Sequence, residues 1–359
     1  MKYKKNQILI VTLLILVLFI RLFSANALLT ERYYSTRLYP YISIFFRTLT
    51  GWFPFSFGDL LYGLAVIWLI WKAIANIKAL IRNKITKQFF FKKLFTSIVV
   101  LLVIYIAFNI FWGINYNRQG IASQLGLTME KYTPQDLKMV NNILLDKVNK
   151  TKAAIVKKGA LPLTSNEIFK RSAKAYNEAY KKYIFLEYHT PSVKTSLWGW
   201  LGNYLGFTGY YNPFTGEAQV NTTVPKFLQP YTTCHEIAHQ LGYAKENEAN
   251  FVGYLAASSS KDSLVLYSVY LDLFLYADRN LYSVDSAAAK LFAQQLLPEV
   301  KADLKEVRDF NRRHQNPVEP VIRWLYGKYL QSNQQPLGVL SYDEVTGFLI
   351  AYYKKYGTL

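Results

Sequence analysis

Long apolar runs separated by short basic segments dominate the N-terminal third of the chain and predict three membrane-spanning helices. The first run covers residues 7–24 and carries a single charge, Arg21. The third run, residues 94–114, has 21 uncharged residues, long enough for a helix to cross about 30 Å of hydrocarbon. The second run is uncharged only over residues 60–71, so a spanning helix there needs to cover residues 56–77.

A cleaved signal peptide is the alternative to the first span, because residues 24–27 offer small side chains for cleavage. An uncleaved span is favoured, since further apolar spans follow it. Residues 29–55 are rich in Tyr, Phe, Trp and Arg. That composition predicts an interfacial or re-entrant element at the level of the lipid headgroups.

Basic residues set the predicted orientation in the cell membrane. The segment of residues 72–93 contains seven Lys or Arg and no acid. By the positive-inside rule, this loop and the Lys-rich N-terminus are cytoplasmic. With three crossings, residues 1–115 form a multi-pass membrane region and residues 116–359 form an extracytoplasmic domain. An even number of crossings would reverse that orientation.

After residue 115 the pattern predicts a mostly helical α+β domain. Thr133 is the expected N-cap of one helix, and a second helix starts at residues 164–167. Turn signals separate two short strands, residues 208–211 and 217–221, which predict a β-hairpin. Further helices are predicted at residues 263–277, 286–297, 299–313 and 342–355. The predicted fold class is therefore mainly α, with the hairpin as a small β element.

Composition changes this picture in two respects. The net charge is +19, but 14 Lys or Arg against two Asp or Glu fall within residues 1–115, beside the apolar runs. That placement indicates lipid contact, and the sequence shows neither a clustered basic face nor a known module for nucleic acid. The single cysteine, Cys234, excludes an intramolecular disulfide and a cysteine-based metal cage. We expect it to be a buried structural thiol.

One short motif carries the candidate chemistry: His235 and His239 flank Glu236 in a His-Glu-x-x-His pattern. A helix from near Pro230 to a stop at Gly242 would place both imidazoles on one face, one turn apart. Two imidazoles so placed can bind one zinc ion, and Glu236 can act as general base.

A catalytic zinc site needs a third protein ligand. His189 and His314 have no supporting pattern around them. Lys245 stands where a metzincin carries its third histidine, so that class is excluded. A glutamate from the following helix remains, either Glu246 or Glu248.

The chain resembles the bacterial multi-pass membrane family catalogued as domain of unknown function 3810. The resemblance covers nearly the full length and rests on residues 112–118, 210–217, 235–242, 246–251 and 349–353. That family is similar to zinc metallopeptidases with a glutamate ligand, the gluzincin type, which often carry Glu-x-x-Ala-Asp or a close variant. The resemblance implies a zincin-like domain with Glu246 as third ligand. It also implies that Asn250 hydrogen-bonds a metal-binding histidine.

The expected function is a membrane-anchored zinc peptidase that acts on a peptide or protein. Zinc would activate a water molecule, Glu236 would take its proton, and the hydroxide would attack a peptide carbonyl. The alternative is a catalytically silent metal-binding sensor or scaffold in the membrane. The residue that stabilises the oxyanion stays open among six candidates: Tyr210, Tyr211, Arg312, Arg313, His314 and Tyr326.

The hairpin beside the motif has two interpretations. A substrate peptide can pair with its edge through main-chain hydrogen bonds, or the hairpin can simply pack against the metal helix. Glu217 is expected to be a solvated hairpin residue, with contact to a substrate N-terminus as the alternative.

Overall fold

The computed structural model describes residues 2–82, 86–159 and 163–359, and within them the chain is mainly helical. Lys84 of the predicted cytoplasmic loop lies outside these residues. The α-helices are α1 (Lys2–Ser24), α2 (Ala27–Leu29), α3 (Tyr39–Thr50), α4 (Phe57–Ile81), α5 (Lys87–Phe111), α6 (Gly120–Leu125), α7 (Pro134–Lys158), α8 (Ser165–Tyr180), α9 (Gly199–Leu205), α10 (Gln229–Gln240), α11 (Glu246–Ser258), α12 (Ser263–Val284), α13 (Ser286–Gln294), α14 (Pro298–Arg313), α15 (Glu319–Ser332) and α16 (Val345–Tyr356). A π-helical segment, Thr30–Leu38, and 3₁₀ segments at Gly113–Asn117, Ile184–Leu186 and Gly338–Glu344 complete the helical elements.

Three helices in the described part of the chain are long and apolar enough to cross a membrane: Lys5–Ser24 within α1, then α4 and α5. The prediction of three apolar helices is confirmed, whereas their crossing of a bilayer stays a prediction. Helix α5 ends at Phe111 rather than at residue 114. It ends there because Trp112 leaves the helical conformation and a 3₁₀ segment follows.

The first turn of α4 is fixed by polar groups of the chain itself. Ser56 caps the helix and accepts a hydrogen bond from the Asp59 amide. The carboxylate of Glu217 accepts hydrogen bonds from the amides of Phe57 (3.1 Å) and Gly58 (2.6 Å). Because helix amides at the N-terminus lack internal partners, a buried carboxylate satisfies them. The expectation that Glu217 is solvated is wrong, since its side chain is fully buried at this helix start.

The small sheet contains the predicted hairpin and one strand that the pattern missed. Strands β1 (Val193–Thr195), β2 (Gly209–Asn212) and β3 (Glu217–Val220) lie in the order β1-β3-β2. The hairpin of β2 and β3 is antiparallel, and β1 pairs with β3 in parallel. Within the described sheet, β3 is therefore central, and β2 forms the edge on the hairpin side.

A helical core holds the second half of the chain together. Helix α12 packs along α7, while α10 packs against both α8 and α11. Gly253 of α11 permits a close approach, since a Cβ there would lie 3.2 Å from the His235 backbone nitrogen. This packing brings the start of α11 beside the end of α10, where the candidate metal ligands lie.

Several helix boundaries differ from the sequence prediction. Helix α12 continues past residue 277 to Val284, because the Leu281 side chain is buried on the same helix face as Ala277. Helix α13 ends at Gln294 rather than 297, since a residue that precedes proline disfavours helical angles and Pro298 follows. Helix α15 was not predicted at all.

Candidate metal centre

Helix α10 carries the His-Glu-x-x-His motif and is buried along its whole length. Pro230 lies in its first turn, as predicted. Just beyond the helix, Gly242 adopts a φ of +87°, and a Cβ there would lie 2.8 Å from the Tyr39 ring. Only glycine fits at this position, because the backbone is left-handed and the Tyr39 ring leaves no room for a Cβ. Ile237 points into the hydrophobic core, so the opposite face presents the motif's polar side chains.

The C-terminal end of α10 is held by side chains from the apolar third of the chain. Tyr39 and Ser43 of α3 donate hydrogen bonds to the Gln240 carbonyl, at 3.1 and 2.7 Å. The indole nitrogen of Trp112 donates to the His239 carbonyl at 3.2 Å. Carbonyls in the last turn of a helix lack partners within the helix, so these hydrogen bonds fix the C-terminal end of α10. The segment of residues 29–55, predicted to be interfacial, thus also supports this helix.

The structure brings His235, His239 and Glu246 together, and their ligand atoms all lie within 4.8 Å of one another. The Oε2 atom of Glu246 lies 3.1 Å from His235 Nε2 and 3.4 Å from His239 Nε2. Two ligands bound tetrahedrally to zinc at about 2.0–2.1 Å lie about 3.3 Å apart. The distances of this cluster therefore fit a single small metal ion.

Hydrogen bonds orient both imidazoles towards the cluster. His239 Nδ1 lies 2.7 Å from the Tyr243 carbonyl, which can only accept, so Nδ1 carries a proton and Nε2 is the atom left for a metal, which would displace any proton there. His235 Nδ1 lies 2.7 Å from Asn250 Oδ1, the partner that the sequence predicted. The Asn250 amide nitrogen donates to the Tyr342 carbonyl, which supports this amide orientation. Both Nε2 atoms thus point towards Glu246 Oε2, into the space where a metal would bind.

Asn250→Ala is expected to weaken metal binding by about 10–100-fold, the usual cost of losing a group that orients a ligand. The variant leaves His235 Nδ1 without its partner, so the ring loses both its orientation and its tautomer preference. Competition with a chromogenic zinc chelator measures the change. Asn250→Asp is the matched control, since it keeps an acceptor in place. Equal affinity in Asn250→Ala and the unmodified protein would contradict the predicted role.

Glu236 lies on the same helix face and, like His235, lines a cavity beside the cluster. Its side chain is buried, and among the described residues its Oε2 atom has no hydrogen-bond partner. Burial raises the pKa of Glu236 to about 7, a shift that the two histidines oppose. A Cβ at Gly209 of β2 would lie 2.6 Å from Glu236 Oε1. The edge strand therefore passes directly beside the predicted general base.

The two candidate glutamates for the third ligand position lie in different surroundings. Burial alone would raise the pKa of Glu246, yet the imidazoles of His239 and His235 lower it below the usual range of a carboxyl. Glu248 faces away from the cluster, towards Gly120 and the Lys245 ammonium. The geometry therefore favours Glu246 as third ligand.

Two tyrosines complete the surroundings of the cluster. Tyr326 donates a hydrogen bond of 2.8 Å to Glu246 Oε1, which leaves Oε2 for a metal. The Tyr342 ring stacks on the His235 ring, with centroids 6.0 Å apart. Tyr326 is one of the six oxyanion candidates, whereas the sequence pattern places Tyr342 only at the start of a predicted helix. No local sequence signal ties Tyr342 to the motif, since 92 positions separate it from Asn250.

Four of the other five oxyanion candidates have partners of their own, and the fifth, Arg313, lies in solvent. Tyr210 donates to Asp59, and Tyr211 contacts the Tyr39 hydroxyl. Arg312 bonds Asp309, His314 bonds the Phe310 carbonyl, and Arg313 is exposed. Tyr210 and Tyr326 both line the cavity beside Glu236.

The remaining predicted positions lie apart from the cluster. His189 is exposed and pairs with Glu187. Cys234 is buried, and burial raises the pKa of its thiol to about 12, as expected of a structural cysteine.

These features define a class: a mainly helical protein with three apolar helices of spanning length and a buried His–His–Glu cluster that can hold a metal ion. The chain matches the family model described as "Protein of unknown function (DUF3810)" over residues 34–350, and it belongs to that family. Neither a curated protein nor a solved structure matches it. Family membership is therefore confirmed, whereas the likeness to zinc metallopeptidases stays a prediction.

Proposed function

We propose that this protein is a membrane-anchored zinc peptidase. One observation carries the proposal: two imidazole nitrogens and one carboxylate oxygen converge at metal-ligand distances, next to a buried glutamate that faces a cavity. A purely structural metal site has no need of that glutamate. The proposed ligands are His235, His239 and Glu246, and the proposed general base is Glu236.

The donor set supports zinc as the metal. Two imidazoles and one carboxylate are the ligands of thermolysin-type zinc sites, which leave one position open for water or substrate. Zinc bound there would act as a Lewis acid that activates water and polarises a carbonyl. The described cluster holds three such donors, so it fits this pattern.

The residues of the chain itself supply the remaining steps. The Glu236 carboxylate takes a proton from the attacking water and returns it to the leaving amine. A substrate main chain pairs with the outer edge of β2, whose Gly209 lies beside that carboxylate. Tyr326 lines the cavity and is the candidate oxyanion stabiliser, for which its single O–H would turn from Glu246 Oε1 to the substrate.

The arrangement of the apolar helices supports a multi-pass protein whose catalytic domain is extracytoplasmic. The start of α4 contacts Glu217 of the sheet, and Trp112, just after α5, contacts the metal helix. The basic residues lie at the C-terminal end of α4 and the N-terminal end of α5. These are the helix ends that lie away from the contacts with the sheet and with α10. One side of the bilayer would then carry the metal cluster, and the other would carry the basic loop.

Metal analysis combined with a cleavage assay tests the proposal. We expect the full chain, purified in detergent, to hold about one zinc ion. We also expect it to cleave peptides in a degenerate pool, followed by mass spectrometry. A chelator should abolish cleavage and added zinc should restore it. Absence of bound divalent metal, or cleavage that survives chelation, would overturn the proposal. Bound zinc with no cleavage would favour the silent metal-binding alternative.

A further inference from the structure

The cavity beside the candidate metal centre has an unusual second wall. It has a volume of about 850 Å³, and His235, Glu236 and Asn250 belong to its lining. The lining also includes four residues of the apolar helix α4: Tyr62, Gly63, Val66 and Ile67. The space in which a substrate would meet Glu236 is therefore bordered by a candidate membrane-spanning helix.

These wall residues belong to the part of α4 that is best suited to lipid. They lie between Asp59 and Lys72, within the uncharged residues 60–71. Ile67 lies about 12 Å along the helix axis from Asp59, at 1.5 Å per residue. The apolar window of α4 is not buried inside the protein. With Asp59 at headgroup level, the cavity wall extends into the hydrocarbon layer.

Two helices that contribute residues to the cavity lining, α9 and α15, also carry exposed apolar and aromatic side chains on their outer surfaces. Trp200 and Tyr204 project from α9, and α15 packs against that helix. On α15, Val321, Trp324 and Leu325 are all more than half exposed. Trp and Tyr are enriched where proteins meet the membrane interface, and apolar surface of this kind marks a contact with lipid or a partner.

Apart from Glu236 and Asp272, the acidic and basic side chains that line the cavity are paired with one another. Arg279 forms an ion pair with Asp343 at 2.8 Å, and Arg323 lies 3.9 Å from Glu319. Paired charges offer little attraction to a charged peptide. The features that stay available for binding are the apolar wall of α4 and the free edge of β2.

We propose that the substrate is an apolar polypeptide segment that enters the site from the lipid bilayer, along α4. Its side chains occupy the wall formed by Tyr62 to Ile67, while its main chain pairs with β2 beside Glu236. This inference rests on the proposed peptidase function and on α4 lying in the membrane. It adds the class of substrate, a membrane-embedded segment rather than a soluble peptide.

Reconstitution in phosphatidylcholine vesicles tests the route of entry. One probe is a degenerate octapeptide pool fused directly to a 20-residue Leu/Ala helix. The second is the same pool attached to a lipid through a long Gly/Ser linker, which gives an equal surface concentration without an apolar segment. The free pool is the third. We expect the helix-fused pool to be cleaved at least about 10-fold faster than the lipid-tethered pool, because apolar contacts add binding energy.

Equal cleavage of the helix-fused and tethered pools, or preference for the free pool, would overturn this inference and leave the peptidase function intact. No cleavage of any pool by a protein that holds no zinc would instead overturn the peptidase function itself.

Two matched variants of α4 locate the effect. Val66→Trp places an indole in the cavity beside α4, and we expect it to lower cleavage of the helix-fused pool by about 10-fold. Leu64→Trp places the same indole at an exposed position of α4 outside the residues that line the cavity, so cleavage should be unchanged. Zinc content should match in both variants, which shows that the metal site is formed. Equal loss in both variants, or loss in neither, would contradict entry along this wall.

Discussion

Replacing Glu236 by Gln is expected to lower peptide hydrolysis by about 10²–10⁴-fold, the range contributed by a positioned general base. The amide keeps the size of the side chain but cannot accept a proton. Zinc content should be unchanged, because the cluster is formed by His235, His239 and Glu246. Burial raises the pKa of the Glu236 carboxyl to about 7, so burying this group is unfavourable. Its removal is therefore not expected to destabilise the fold. Initial rates on the degenerate pool and elemental analysis measure both quantities.

Glu248→Gln is the matched control for this experiment. Glu248 is also a buried glutamate beside the same helix pair, and burial likewise raises its pKa. It faces Gly120 and Lys245 rather than the cavity, so its variant should keep both zinc and hydrolysis. Hydrolysis that persists in Glu236→Gln would place the general base elsewhere. Zinc lost from Glu236→Gln would show that this side chain supports the metal directly.

Local signals explain why much of the helical framework could be predicted. Thr133 and Asp136 form the capping box that opens α7, and Thr164 and Glu167 form the one that opens α8. Such motifs act over three or four residues, so the sequence alone contains them. Helix α15 was missed although it has a local start signal, since Asn316 accepts hydrogen bonds from the Val318 and Glu319 amides and a proline lies in the first turn. Gly327 in its interior weakens the helical pattern.

Contacts between distant segments explain what could not be predicted. Strand β1 has three residues, and its pairing with β3 depends on positions 25 residues further along the chain, such as Val193 with Ala218. The capping of α4 by Glu217 joins residues 159 positions apart. Tyr342 reaches His235 only because α16 and the preceding 3₁₀ segment pack on α11. Periodicity and turn chemistry depend on residues close together in sequence, so they cannot predict these long-range contacts.

The candidate ligands fall between these two cases. His235 and His239 share one helix, so their spacing alone predicts a common face. The third position depends on how α11 packs against α10, and the sequence left Glu246 and Glu248 as alternatives. The structure separates them, since only Glu246 lies within reach of both imidazoles.

Glu246→Ala is therefore expected to weaken zinc binding by more than about 100-fold, beyond the 10–100-fold that loss of a supporting group costs. A site with two imidazoles and no carboxylate lacks the third protein ligand that catalytic zinc requires. The variant also leaves the Tyr326 hydroxyl without its acceptor. Hydrolysis should fall together with zinc content at limiting metal. Chelator competition gives the affinity, and elemental analysis after gel filtration gives the content.

Glu248→Ala provides the comparison that decides between the two glutamates. It removes a buried carboxylate two positions further along α11 but leaves the cluster intact, so zinc should be retained. Thermal unfolding of both variants separates loss of metal from loss of fold, because a bound metal raises the unfolding temperature only while the site exists. Zinc retained in Glu246→Ala but lost in Glu248→Ala would move the third ligand by two residues. Such a result would require α11 to turn by about 200° about its axis, at 100° per residue, which would draw Asn250 away from His235.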